Sequence, residues 1–161
     1  MKTNTKKKVL IALDFDPTAQ KVAEVGYSFA KSLDAEVTLL HVIVDPIYYS
    51  SIESFPLIGY TGSLISPFQV LNSEEAKKES GLFLDKIKIH LGDDSIHTII
   101  REGDFADLIL MTADEIQVDT IVMGTHSRRW LESIIMGSVA EQVLHHTTIP
   151  LFIIPTHKSE K

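Results

Sequence analysis

The stretch KKKVLIALDFD, residues 6–16, holds a short apolar run with charged residues on both sides. Three lysines precede the run Val9–Leu13 and Asp14 ends it, so the run is too short for the core of a signal peptide. Its hydrophobicity is continuous rather than alternating, which is typical of a strand covered on both faces of a parallel sheet. The stretch therefore predicts a buried strand with acidic side chains at its carboxyl end.

Similar apolar runs, rich in β-branched residues, recur along the chain at Val37–Val44, Ile96–Ile100, Thr120–Met123 and Ile149–Ile154. Helical patterns separate them, at residues 19–33, 73–90, 105–116 and 137–146. Strands joined by helices in this way predict a doubly wound α/β sheet with right-handed crossovers. In such a sheet ligands bind beyond the carboxyl ends of the strands, at the point where the strand order reverses.

Apolar residues on the first two helices predict which helix faces lie against the sheet. On the first helix they recur at spacings of three and four, which places them on one face: Val22, Val25, Phe29 and Leu33. The second helix shows Leu82, Ile87 and Leu91 in a segment rich in charged residues.

Composition and charge limit the classes of protein to which the chain can belong. Its 161 residues suit a single domain, 1–161, that ends in a short tail at 156–161. The contents of 44% hydrophobic and 23% charged residues are ordinary for soluble proteins and do not suggest a membrane partner. A net charge of −7 argues against nucleic-acid binding, which needs clustered cations. The absence of cysteine fits a reducing compartment, so we expect a cytoplasmic protein.

One segment, residues 45–71, interrupts the alternation of strands and helices. It contains three prolines, two glycines and five aromatic residues, and it has no sustained periodicity. We interpret it as an irregular insertion loop that packs on its own side chains, with a lid or a partner-binding surface as the functional alternative.

The first strand leads directly into two carboxylates, Asp14 and Asp16. At the mouth of a parallel sheet such groups could accept hydrogen bonds from a ribose or hold Mg²⁺. The structural alternative is that Asp16 or Thr18 caps the following helix.

The stretch GTHSRRWLESIIMGS, residues 124–138, has the glycines of a phosphate-binding loop, although its middle is bulky. Gly124 could form a tight turn after the fourth strand. Gly137 and Ser138 open a helix, whose unpaired N–H groups favour an anion. Arg128 could reach a triphosphate or remain a solvated charge. Neither the Walker pattern nor the dinucleotide fingerprint occurs.

Four segments together resemble the universal stress protein family: KKVLIALDFD at residues 7–16, VTLLHVIV at 37–44, REGDFADLILMTADEIQVDTIVMGTHS at 101–127 and MGSVAEQVLHHTTIPLFIIP at 136–155. Nucleotide-binding members of this family carry G-x-x-G, nine residues, then G-[ST]. This chain keeps Gly124, the spacing and the pair Gly137-Ser138, but it has Ser127 in place of the second glycine.

This resemblance implies a five-stranded parallel sheet with helices on both faces, of the adenine nucleotide alpha hydrolase-like or Rossmann-like type, and a homodimer through the last strand. It also implies binding of ATP, AMP or a related adenine nucleotide. Asp14 would contact the ribose, Val42 would present its backbone to the adenine, and Pro17 and Thr18 would lie near the adenine. Asp16 would be a further contact, at a position where the family often has serine. The residues around the ribose and phosphates would be Met123, Gly124, Ser127, Gly137, Ser138 and Val139.

Two other functions are compatible with the sequence. The chain could be a dimeric interaction protein that works without nucleotide through the 45–71 segment. A phospho-receiver domain would explain the acidic pair, but the last strand ends in Pro155-Thr156 without the lysine that such chemistry requires. Since no nucleophile motif is visible, we expect a nucleotide-binding stress-response or signalling module with little or no catalysis, at most slow ATP hydrolysis.

Overall fold

The computed structural model describes residues 5–43, 73–125 and 138–156, and within these ranges strands and helices alternate. In chain order the elements are β1 Lys8–Leu13, α1 Ala19–Ser32, β2 Glu36–Ile43, α2 Ser73–Leu91, β3 His97–Glu102, α3 Phe105–Glu115, β4 Thr120–Gly124, α4 Ser138–His146 and β5 Leu151–Ile154. The predicted strands and helices are thus confirmed, with small shifts at their ends.

The start of β5 shows why one boundary moves. The sequence predicts that the strand begins at Ile149, but hydrogen bonds between Thr147 and Ile149 form a turn there instead. The Ile149 N–H donates to Thr147 Oγ1 at 2.9 Å, and that hydroxyl donates to the Ile149 carbonyl oxygen at 2.9 Å. The strand therefore begins only after Pro150.

The strands form one parallel sheet in the order β3-β2-β1-β4-β5. The chain first extends the sheet from β1 to β2 and β3, then returns to the other side of β1 for β4 and β5. The predicted five-stranded, doubly wound fold is therefore confirmed. The strand order reverses between β1 and β4.

Helices cover both faces of the sheet and enclose two apolar clusters. On one face α1 and α2 pack against alternate residues of the central strands, among them Ile11, Leu39 and Val122. On the other face α3 and α4 pack against the intervening residues, such as Leu10, Leu40 and Ile121. Continuous apolar runs in the strands supply both faces at once, as the sequence indicated.

The face that α1 turns to the sheet matches the predicted one at Val22, which is buried, and at Phe29, which packs against the core cluster, but not at Val25 and Leu33. Val25 and Leu33 are 37% and 45% exposed, and the buried residues are mainly small: Ala19, Val22, Ala23, Gly26 and Ala30. A Cβ on Gly26 would lie 3.0 Å from both Ile11 Cδ1 and Val122 Cγ1. Small side chains let the helix approach the sheet closely, so they displace the larger apolar residues from the contact. Leu82 of α2 is likewise exposed.

Several predictions concern residues beyond the described ranges. The insertion at 45–71 and the tail at 156–161, apart from Thr156, lie outside the described residues. Among the described helices, none has both the length and the apolar character needed to cross a membrane.

Candidate functional site

The carboxyl ends of β1, β2 and β4 form the centre of the candidate site. Ile11 of β1 pairs with Val122 of β4, so Asp14 and Thr125 each lie three residues beyond that pair. Leu13 pairs with His41 of β2, so Asp14 and Val42 each lie one residue beyond it. The topology thus brings Asp14, Val42 and the end of β4 to one edge of the sheet.

Asp16 builds the turn that begins α1. Its Oδ1 accepts hydrogen bonds from the Thr18 N–H at 2.8 Å and the Thr18 hydroxyl at 2.6 Å, and its carbonyl accepts from the Ala19 N–H at 2.9 Å. Thr18 is the N-cap residue of α1, but its side chain makes no capping hydrogen bond. Asp16 instead stabilises the turn that precedes the helix. Asp14 and Pro17 are exposed at the edge of the sheet.

A buried histidine lies beneath this turn. The His41 side chain is 4% exposed, and its Nδ1 lies 2.8 Å from the Leu13 carbonyl oxygen. The Phe15 ring packs edge-on against the imidazole at a centroid distance of 4.5 Å, and Phe83 of α2 contacts both rings. Burial lowers the pKa of His41, although the bond to Leu13 and the Asp14 charge act in the opposite direction.

Gly124 is the last residue of β4, and its surroundings explain why it is glycine. A Cβ there would lie 2.8 Å from Thr156 Cγ2 and 2.9 Å from Val22 Cγ2. Its φ is outside the positive range, so close packing rather than the expected tight turn requires glycine. Met123 is 5% exposed and faces the α3 and α4 cluster.

Thr125 and Thr156 join the ends of β4 and β5. The Thr125 N–H donates to the Ile154 carbonyl at 3.0 Å, and the Thr156 N–H donates to Thr125 Oγ1 at 3.1 Å. Both threonines are buried. Neither threonine is among the predicted site residues, because the sequence marks them only by a position just after an apolar run.

The universal stress protein family model matches residues 6–155. The chain belongs to the universal stress protein family. Universal stress protein MJ0531 of Methanocaldococcus jannaschii is 31% identical, over 98% of this chain and 86% of that relative. Universal stress protein MJ0577 of the same organism is 32% identical, over 95% of this chain and 97% of that relative.

Solved structures of universal stress proteins share the fold. The structure reported under "Structure-based assignment of the biochemical function of hypothetical protein MJ0577" has a TM-score of 0.71 and 28% identity, and it covers 95% of this chain and 98% of that one. A universal stress protein in complex with cAMP has a TM-score of 0.59 over 94% of this chain and 98% of that one. Its 16% identity makes it evidence of the fold alone.

In this universal stress protein the helix after β4 completes the described part of the site. Ser138 is exposed as the first residue of α4, and Val139 is half-buried against the α3 and α4 cluster. The N–H groups of the first turn have no partner within the helix. Three predicted site residues, Ser127, Arg128 and Gly137, lie outside the described ranges. In the part of the chain that the structure describes, no three His, Asp or Glu side chains form a group that could hold a metal ion.

Two surface hollows lie outside the candidate site at the carboxyl ends of β1, β2 and β4. One, of about 450 Å³, is lined by α1 residues and by Phe152 of β5. The other, of about 280 Å³, lies between α3 and α4 and is lined by Asp104, Asp107 and His146 among others. Neither hollow is lined by Asp14, Val42 or Ser138, so both are separate from the candidate site.

Proposed function

We propose that this universal stress protein binds an adenine nucleotide, ATP or AMP, at the carboxyl ends of β1, β2 and β4, with little or no catalysis. The reversal of strand order between β1 and β4 is the observation that carries the proposal. The helix after β1 covers one face and the helix after β4 covers the other. In doubly wound sheets, helices that leave neighbouring strands for opposite faces leave a crevice at this edge, and nucleotides bind there.

The described residues have the chemistry that a nucleotide needs. Asp14 is an exposed carboxylate at this edge of the sheet and would accept hydrogen bonds from ribose hydroxyls. Val42 lies beside Asp14 on β2 and would offer backbone groups to the adenine. Ser138 opens a nine-residue helix whose dipole favours a phosphate.

The remaining proposed contacts surround the adenine, the ribose and the phosphates of the ligand. Pro17 and Thr18 would border the adenine, and Asp16 would act through the turn that it holds. The residues around the ribose and phosphates would be Met123, Gly124, Ser127, Arg128, Gly137, Ser138 and Val139. Any Mg²⁺ would then be bound mainly by the nucleotide phosphates and water, with Asp14 or Asp16 as an additional ligand.

Family membership supports an adenine nucleotide as the ligand. The universal stress protein solved in complex with cAMP shows that this fold holds an adenine nucleotide in at least one protein. The present chain keeps the first glycine and the final Gly-Ser pair of the nucleotide-binding pattern, at the spacing of that pattern. Ser127 supplies the same backbone N–H as the glycine it replaces, so the phosphate donors are retained.

Calorimetric titration with ATP and AMP, with and without Mg²⁺, tests the proposal. We expect Asp14→Asn to weaken ATP binding about tenfold, because an amide accepts hydrogen bonds from the ribose less strongly than a carboxylate. Asp94→Asn is the matched control, since Asp94 is exposed in the turn before β3, at the amino end of the sheet. It makes the same charge change and should leave the affinity unaltered.

Absence of binding at millimolar ATP would contradict the nucleotide proposal. The alternative, a dimeric interaction protein that works without nucleotide through the 45–71 segment, would then be favoured. Mass spectrometry of small molecules released from the purified protein would separate the two functions independently. An adenine nucleotide supports the first function, and its absence together with a flat titration supports the second.

We also propose that the protein is a homodimer through β5. This strand lies at the edge of the sheet and pairs with β4 on one side. An unprotected edge strand tends to pair with another chain. Apolar side chains of Phe29 and Phe152 line the hollow beside this edge, which adds apolar surface to the proposed contact.

A further inference from the structure

His41 contacts the residues on both sides of Asp14. Its Nδ1 is 2.8 Å from the carbonyl oxygen of Leu13, the residue before Asp14. Its ring packs at 4.5 Å against the ring of Phe15, the residue after Asp14. One buried side chain thus holds the backbone on either side of the exposed carboxylate.

The hydrogen bond defines the state of the imidazole. A carbonyl oxygen can only accept, so Nδ1 carries the proton and donates it to Leu13. Because burial lowers the pKa of His41, the ring is neutral near pH 7. A neutral ring with its proton on Nδ1 can donate to Leu13 in only one orientation. Phe83 packs against the ring from the other side, at a centroid distance of 5.6 Å, and limits its rotation.

The bonded carbonyl lies where β1 leaves the sheet. The β1–β4 register covers Val9, Leu10 and Ile11, whereas the β1–β2 register continues to Leu13. The end of β1 is therefore held from the β2 side, by the His41 side chain as well as by the backbone hydrogen bonds between the two strands. A donor at this point fixes the direction in which the chain departs toward Asp14.

We propose that His41 is a positioning residue that aims the Asp14 carboxylate at the ribose hydroxyls of the bound nucleotide. This inference rests on the proposed function, since it assigns His41 a role in the same site. His41 acts through Leu13 and Phe15 and does not itself touch the ligand.

Comparison of ATP with 2′,3′-dideoxy-ATP isolates this role, because the analogue lacks the hydroxyls that Asp14 would hold. We expect the wild type to bind ATP about tenfold more tightly than the analogue, as for a hydrogen bond to a charged group. His41→Leu should reduce that preference to about twofold or less. His41→Asn should retain most of it, because the Asn amide nitrogen occupies a place similar to that of Nδ1.

Leu39→Val controls for loss of stability alone. Leu39 lies two residues earlier on the same strand, faces the same cluster and is fully buried. This variant should keep the wild-type preference for ATP. If His41→Leu does not fold, His41→Gln replaces it, because the Gln amide nitrogen corresponds to Nε2 and cannot reach Leu13 in the same way.

Each result decides between the proposals. If the wild type binds no ATP, the proposed function fails and this inference fails with it. If the wild type prefers ATP and His41→Leu keeps that preference, only the inference fails. If Leu39→Val loses the preference for ATP as fully as His41→Leu does, the inference about His41 also fails, because general destabilisation would then explain the effect.

Discussion

At the scale of the residue, His41 couples the pH to the stability of the fold. Burial lowers its pKa below the ordinary value of 6.5, so the unfolded chain binds a proton more readily than the folded one. The contribution of this group to the free energy of unfolding is therefore complete above the unfolded pKa, and it is lost as the pH falls below that value.

We predict a smaller pH dependence of stability for His41→Asn than for the wild type between about pH 7 and about pH 5. Asparagine keeps the donor to Leu13 but does not titrate. Urea unfolding at several pH values measures both slopes, and the other histidines contribute equally to the two proteins. Parallel slopes would show that His41 is protonated as easily in the folded state as in the unfolded one.

At the scale of the element, the contact between α1 and the sheet depends on Gly26. A valine there would place carbon atoms where Ile11 and Val122 already lie, since even a Cβ comes within 3.0 Å of both. We predict that Gly26→Val lowers the free energy of unfolding by about 2 kcal/mol, a typical cost of overpacking.

Gly81→Ala is the matched control on α2. Its Cβ would meet only Ile100 Cδ1, at 3.9 Å, which is ordinary contact. The higher helix propensity of alanine should raise the free energy of unfolding by about 0.5–1 kcal/mol. Chemical denaturation of both variants measures the two effects. A neutral Gly26→Val would mean that α1 can shift outward at little cost.

The same elements show how far the sequence predicts the structure. Strand positions followed from the apolar runs, because burial on both faces leaves a local pattern. The buried face of α1 followed only in part, because small residues such as Ala23 and Gly26 carry little hydrophobic signal although they make the closest contacts.

Contacts between residues that are far apart along the chain could not be predicted from the sequence either. The bond from His41 to Leu13 spans 28 positions and the bond from Thr156 to Thr125 spans 31. Their partners are known only once the strand order is known. Asp14, by contrast, could be selected from its place directly after an apolar run, because the end of a parallel strand is where such sheets bind ligands.

At the scale of the whole molecule, the hydrogen-bonding directions of β5 determine how two copies could pair. The carbonyls of Pro150 and Ile154 accept from the N–H groups of Ile121 and Thr125 on β4. Alternate residues of a parallel strand direct their N–H and C=O groups to the same side. Leu151 and Ile153 therefore direct theirs away from β4, toward the open edge.

We predict that Ile153→Pro converts the dimer into a monomer without unfolding it. Proline removes the outward N–H that a second chain would bind and leaves the β4 ladder intact, because Ile153 contributes no N–H to that ladder. Ile153→Val keeps the N–H and the β-branched side chain, so it should remain a dimer. Sedimentation equilibrium gives the mass of each protein and circular dichroism checks the fold. A monomeric wild type at tens of micromolar protein would exclude the dimer, and a dimeric Ile153→Pro would place the contact on another surface.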